Sequence, residues 1–244
     1  MHLPGRLCLK SFSLHTIKNL DRLGELVRSC NLDAVDISGC HVDYREPERF
    51  AAVIATLAGH GVGIVGNGVV GLKADPVQLS RVCAFAKAAG SPVVSVHLDA
   101  RDHREAIAMA CAMAESHDLR IAIHNHGGNH WHGSSEALRY LLSLGSPRLG
   151  LCIDSAWTLD AGEDPVAWAR EFGPRVFATH LKDFTFDERR RPHDVVLGKG
   201  LLDLPGFVGV LSEAGFSGPL AIEYEGTEPD VTPAIRDCVV ALAS

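Results

Sequence analysis

Short apolar runs alternate with longer amphipathic segments along the whole chain. The short runs are Arg6–Leu9, Ala34–Ile37, Val62–Val65, Val93–Val96, Arg120–Ile123, Leu149–Ile153, Val176–Thr179 and Leu220–Ile222. Most are rich in Val, Ile and Leu, as strands buried on both faces are. The longer segments carry apolar residues at helical spacing. Glu48–Gly59 places Phe50, Val53, Ile54 and Leu57 on one side, after Pro47. Asp75-Pro76 reads as a cap and a helix-starting proline ahead of Val77–Ala89. Arg104–His117, Ser134–Leu144, Leu204–Ala214 and Pro229–Ala243 complete the predicted helices.

Strict strand–helix alternation predicts parallel strands, and eight such units close into a (β/α)8 TIM barrel. The 244 residues suit one α/β domain spanning 1–244, with no linker or composition break. An open doubly wound sheet is the runner-up, but no Gly-x-Gly-x-x-Gly turn follows the first strand.

Five strands share a finer register. Ser95-Val96-His97, Ala122-Ile123-His124, Cys152-Ile153-Asp154, Ala178-Thr179-His180 and Ala221-Ile222-Glu223 each run small, outward, polar. Residues two apart on a strand face the same way, so these polar ends converge at the C-terminal mouth, where barrel active sites lie. Histidine and carboxylate together suit a divalent metal ion, with Mn, Zn or Mg all open.

Composition narrows the setting. Hydrophobic residues make up 46% of the chain, which excludes disorder. The net charge of −7 argues against binding nucleic acid. No apolar run is long enough for a membrane span, and Met1–Arg6 shows no signal-peptide pattern. Seven scattered cysteines fit a reducing compartment, so a cytoplasmic location is expected. The unusual count is 13 histidines, of which His117, His124, His126, His130 and His132 fall close together.

Motifs in the second half make the chain resemble the xylose-isomerase-like TIM barrel family. Its members are sugar phosphate isomerases and epimerases, related to inosose dehydratases and to apurinic endonucleases of the endonuclease IV type. The stretches that carry the resemblance are His124-Asn125-His126-Gly127-Gly128, Asp154-Ser155-Ala156-Trp157, His180-Leu181-Lys182-Asp183, Leu197-Gly198-Lys199-Gly200 and Ile222-Glu223-Tyr224-Glu225. The resemblance implies a metal held by His124, Asp154, His180 and Glu223. It departs from the family at His124, where a glutamate is usual, and at Trp157, where histidine is frequent. His126 is the alternative to His124 as ligand.

The resemblance further implies a metal-dependent isomerase or epimerase that works through a metal-stabilised enediolate on a sugar, sugar phosphate or keto-sugar. A lyase or dehydratase using the same enolate is the alternative, since the family's two-glutamate proton shuttle retains only Glu223. A non-catalytic barrel and an endonuclease-like phosphodiesterase stand behind both. Glu223, Lys182 and His124 are the expected catalytic groups. His97, His126, Trp157 and His193 are the expected substrate contacts. A surface ion pair with Asp183 is the plain alternative for Lys182. His130 and His132 read either as an exposed loop or as a lid. His60 reads as a helix-end residue, and Cys152 as buried and inert. The expected partner is a small carbohydrate. The family often forms dimers or tetramers, so a homo-oligomer is compatible.

Overall fold

Eight parallel strands form a closed barrel in the computed structural model, which describes residues 2–243. They are β1 (Arg6–Lys10), β2 (Ala34–Ile37), β3 (Gly63–Leu72), β4 (Val93–Leu98), β5 (Arg120–His124), β6 (Leu149–Asp154), β7 (Val176–Leu181) and β10 (Pro219–Ile222). Each of the eight apolar runs is a strand, and β10 closes the barrel between β1 and β7. Several strands run one or two residues further than the apolar pattern, because their polar last residues still belong to the ladder. β3 runs seven residues further than the predicted Val62–Val65, through Leu72.

Helices cover the outside: α1 (Leu20–Ser29), α2 (Phe50–Gly59), α3 (Pro76–Ala89), α4 (His103–His117), α5 (Ser135–Ser143), α6 (Ser155–Asp160), α7 (Pro165–Phe172), α8 (Leu204–Glu213) and α9 (Thr232–Ala243). Their starts follow the local chemistry. The Asp75 side chain accepts from the backbone N–H groups of Val77 and Gln78, with Pro76 in the first turn. Ser134 does the same for Ala137. The stop at α3 is Gly90, in the left-handed conformation that glycine adopts without steric cost. Two short strands outside the barrel, β8 (Asp183–Phe186) and β9 (Pro192–Val195), pair antiparallel as a hairpin after β7. Among the described residues no helix is long and apolar enough to cross a membrane.

The main core lies between barrel and helices, where Leu9, Ile37, Ile121, Ile153, Leu181 and Ile222 are fully or almost fully buried. Inside the barrel the packing is of small residues. Cys8, Ala34 and Ala221 form one cluster and Ala122, Cys152 and Ala178 contribute to another. These small side chains floor the barrel and leave room above them for a layer of polar ones.

Candidate metal centre

Seven of the eight barrel strands place a polar residue in or beside that upper layer: Lys10, Asp36, His97, His124, Asp154, His180 and Glu223. Five are those marked by the strand-end register. Lys10 and Asp36 are two that sequence reasoning missed, although Cys8-Leu9-Lys10 and Ala34-Val35-Asp36 obey the same small–apolar–polar rule. The eighth strand makes room instead. A Cβ on Gly66 would stand 2.9 Å from the Asp36 carboxylate, so only glycine lets Asp36 occupy this place.

Four of these residues converge. His124, Asp154, His180 and Glu223 each offer a ligand atom, all within 4.8 Å of one another, and all four residues are buried. His124 Nε2 is 3.5 Å from Asp154 Oδ2, and the His124 and His180 ring centroids are 4.6 Å apart. Asp154 is held by its other oxygen: Oδ1 accepts the backbone N–H of Trp157 at 2.9 Å, capping α6. His180 is held from both sides. Its Nε2 lies 3.4 Å from Asp36 Oδ2, and its Nδ1 lies 3.0 Å from Glu223 Oε2. Asp36 is anchored in turn by Lys10, whose Nζ donates to Oδ1 at 2.9 Å and also to the Gly68 carbonyl.

Several atoms of this group have no hydrogen bond. Both ring nitrogens of His124 and Oδ2 of Asp154 are buried without a hydrogen-bond partner, and Nδ1 of His180 has only the Glu223 carboxylate beside it, at 3.0 Å. A buried polar atom left unpaired costs about 1–3 kcal/mol, and several such atoms aimed at one point fit a metal ion. The protonation states agree for three of the four. Burial and the nearby His180 hold the His124 imidazole well below its ordinary value, so it is a neutral lone-pair donor. Burial opposes charge on Glu223, but His180 and Lys182 outweigh it and keep the carboxyl below the usual range. Burial pushes the Asp154 carboxyl up to about 6 against the pull of Lys182, which leaves it ionised at neutral pH. His180 is the exception. Burial disfavours its charge, yet Cys152, Glu223 and Asp36 hold its value well above the ordinary one. A metal held by His180 would take the place of one ring proton, while the ring nitrogen facing Asp36 would keep the other.

Above the four residues opens a cavity of about 410 Å³. Polar lining comes from Lys10, His97, His124, His126, Glu223 and Glu225, and apolar walls from Phe12, Val69 and Trp157. His97, His126 and Trp157 therefore reach the mouth. His193 does not: it is exposed on β9, with Nε2 4.0 Å from Asp187 at the edge of the hairpin. Lys182 is buried and pairs with Glu225 and, at 3.5 Å, with Asp194. Those carboxylates, with Glu223 and Asp154, raise its value despite burial, so it is a fixed cation. The expected alternative, a surface pair with Asp183, is not what forms. Asp183 is also buried and accepts backbone N–H groups from Gly198, Gly200 and Leu202 at 2.9–3.0 Å, closing the loop after the hairpin. Glu225 was missed by sequence reasoning. It lies two residues beyond Glu223, past the end of β10, and it lines the same cavity.

The remaining histidines are spread between site and scaffold. His60 follows α2 as expected: its backbone N–H donates to the Leu57 carbonyl and its ring meets Asp21 at 3.0 Å. Cys152 is fully buried in the barrel. His126, His130 and His132 lie together over the β5 end of the mouth.

A family model described as a xylose isomerase-like TIM barrel matches residues 25–239. Among curated proteins, the rhizopine catabolism protein MocC of Rhizobium meliloti is 31% identical over 119 residues, which is 43% of this chain and 36% of that protein. The match thus spans little more than a third of that relative's length. Solved structures with the same fold include the IolI protein with a bound zinc atom, at a TM-score of 0.76 and 16% identity over 98% of this chain and 96% of that one. The probable 3-DHS dehydratase AsbF from Bacillus anthracis, involved in petrobactin synthesis, has a TM-score of 0.77 at 13% identity, covering 98% and 99%. The 3-keto-D-glucoside 4-epimerase YcjR from E. coli has a TM-score of 0.74 at 13% identity, also covering 98% and 99%. At these identities the likeness to the three structures is one of fold.

Proposed function

The chain belongs to the xylose isomerase-like TIM barrel family, and on that premise we propose that it is a divalent-metal-dependent isomerase or epimerase of a sugar, sugar phosphate or keto-sugar. The observation that carries this reading is the set of unpaired atoms on His124 and Asp154, which meet His180 and Glu223 beneath a cavity that His124 and Glu223 line. A zinc-bearing protein and a keto-sugar epimerase of the same fold support it.

His124, Asp154, His180 and Glu223 would hold the ion, which supplies Lewis-acid chemistry: it polarises a substrate carbonyl and acidifies the neighbouring C–H. The chain's own residues then move the proton. Glu223 lines the cavity and is kept ionised by His180 and Lys182, so it is the base for that C–H. Among the described residues no second carboxylate faces it across the mouth, where His124, His126 and His97 stand instead. Return of the proton on the opposite face therefore falls to an imidazole. Lys10 has its charge balanced by Asp36 and presents a remaining N–H to a substrate oxygen. Trp157, Phe12 and Val69 give the apolar face of a sugar ring a wall to pack on and keep water from the reacting carbon.

Elimination is the second reading, and one observation favours it. Glu225 lines the cavity as Glu223 does and is paired with Lys182, which places two carboxyl groups, two residues apart in the chain, beside the substrate. Two neighbouring carboxyl groups can divide the work of base and acid in a loss of water from one face beside an enolate. The dehydratase of the same fold is in keeping with it.

Incubation of zinc- or manganese-loaded protein with keto-sugars and inososes in D2O tests both. Deuterium at the carbon next to the carbonyl of recovered ketose, without loss of water, is the expected result. An enone absorption band in its place assigns elimination. Absence of both exchange and enone across the panel, with the metal shown to be bound, contradicts the proposal.

A further inference from the structure

The three histidines of the loop after β5 are not accounted for by the four-residue centre. His126, His130 and His132 each offer a ring nitrogen within 4.8 Å of the others. Their ring centroids are 4.8 Å apart for His126–His130, 4.2 Å for His130–His132 and 5.8 Å for His126–His132. Nδ1 of all three, and Nε2 of His132 as well, are buried without any hydrogen-bond partner. His132 is 0% exposed. An imidazole with both nitrogens unsatisfied in the interior is costly unless something takes up a lone pair.

The loop is built to hold these rings. The Trp131 indole N–H donates to the Leu98 carbonyl at 2.9 Å, which ties the loop to the end of β4. His130 N–H donates to the Gly127 carbonyl and Gly133 N–H to the His130 carbonyl, both at 2.9 Å, winding the segment into two successive turns. A Cβ at Gly133 would lie 2.8 Å from the carbonyl oxygens of His126 and Gly127, so the backbone closes on itself as far as glycine permits. The closed turns bring histidines at positions 126, 130 and 132 to one side.

We propose that His126, His130 and His132 form a second metal site, separate from the four-residue centre, for zinc or another divalent ion that prefers imidazole. Three imidazoles and no carboxylate favour the transition metals over Mg²⁺ or Ca²⁺. Tetrahedral zinc with three histidines places its ligand nitrogens about 3.4 Å apart, so binding from a spread of up to 4.8 Å draws them together by up to about 1.4 Å. His126 also lines the substrate cavity, and its ring lies 4.8 Å from that of His124. The second ion thus stands at the edge of the mouth, with an open position available to a substrate oxygen.

The test is metal stoichiometry in protein without a polyhistidine tag. The chain is stripped with a chelator, loaded with Zn²⁺, desalted and assayed by mass spectrometry of the metal. Two zinc ions per chain are expected for the wild type, and one each for His130→Gln and Asp154→Ala. His130→Gln is the primary variant because its ring is partly exposed; His132→Gln repeats the test where circular dichroism shows native helix content. Cobalt added to Asp154→Ala is expected to give the intense visible bands of a four-coordinate site, and His130→Gln in that background to abolish them. A wild-type zinc count, whether one or two, that His130→Gln leaves unchanged overturns the proposal. Failure of the four-residue centre reads differently: Asp154→Ala then loses no zinc, while His130→Gln still loses one.

Discussion

His180 Nε2 lies 3.4 Å from Asp36 Oδ2, a contact between β7 and β2 across the barrel interior with the histidine completely buried. It fixes which nitrogen is free. Nε2 is occupied by Asp36, and Nδ1 faces Glu223 and the metal centre. Outer carboxylates of this type orient a ligand ring and raise its basicity, and losing one costs 10–100-fold in metal affinity in other sites. Asp36→Asn is therefore expected to weaken zinc binding at the four-residue centre by about 10–100-fold, measured by competition with a chromogenic chelator. Unchanged affinity would show that the ring is positioned by packing alone.

The family's usual glutamate is replaced by His124, whose two ring nitrogens are both buried and unpaired. A carboxylate at this position still offers an oxygen to the ion. His124→Glu is expected to keep one metal at this centre, with affinity within about tenfold of the wild type, a difference of about 1.4 kcal/mol. Metal loss in this variant would make the imidazole essential to this version of the site.

Gly133 has backbone carbonyls on two sides, so the alanine methyl of Gly133→Ala has nowhere to go without moving the loop. The expected cost is about 1–3 kcal/mol in unfolding free energy, together with reduced retention of the zinc ion held by His126, His130 and His132. Urea denaturation and metal analysis measure the two. A variant as stable as the wild type contradicts the tight closure of these turns.

Burial, with neighbouring imidazoles adding to it, lowers His132 to about 3 in the metal-free protein, against an ordinary value of 6.5. Below pH 6.5 the unfolded chain takes up a proton there and the folded chain does not. Stability from a neutral His132 is thus present above pH 6.5 and lost as pH falls towards 3. His132→Gln has no such group. Its stability deficit relative to the wild type, measured in EDTA, is expected to shrink by about 2 kcal/mol between pH 8 and pH 5. A deficit independent of pH would mean that His132 takes up protons in the folded state as freely as in the unfolded one.

The barrel was legible because period decides it. All eight short apolar runs, from Arg6–Leu9 to Leu220–Ile222, are strands, and the convergence of His124, Asp154, His180 and Glu223 follows from one shared parity. The same parity holds at Lys10 and Asp36, but there it points to an ion pair inside the barrel, a residue combination that does not mark a metal site by type. Helix α1 was not predicted. Its apolar positions, Leu20, Leu23 and Val27, are interleaved with Asp21, Arg22, Glu25 and Arg28. The hairpin β8–β9 was hidden by its charged tip, Asp187 to Arg191, and by strands of only four residues. His193 reads as a mouth residue because it precedes the Leu-Gly-Lys-Gly loop, yet the hairpin carries it out to solvent. The packing of His130 and His132 depends on loop turns that no periodicity encodes.

The most direct measurement is anomalous diffraction at the zinc edge from crystals grown with Zn²⁺. The expected result is a peak about 2.0–2.2 Å from a nitrogen of His124, Oδ2 of Asp154, Nδ1 of His180 and a carboxylate oxygen of Glu223. Zinc bound elsewhere on the chain, with no peak among these four residues, would contradict the account.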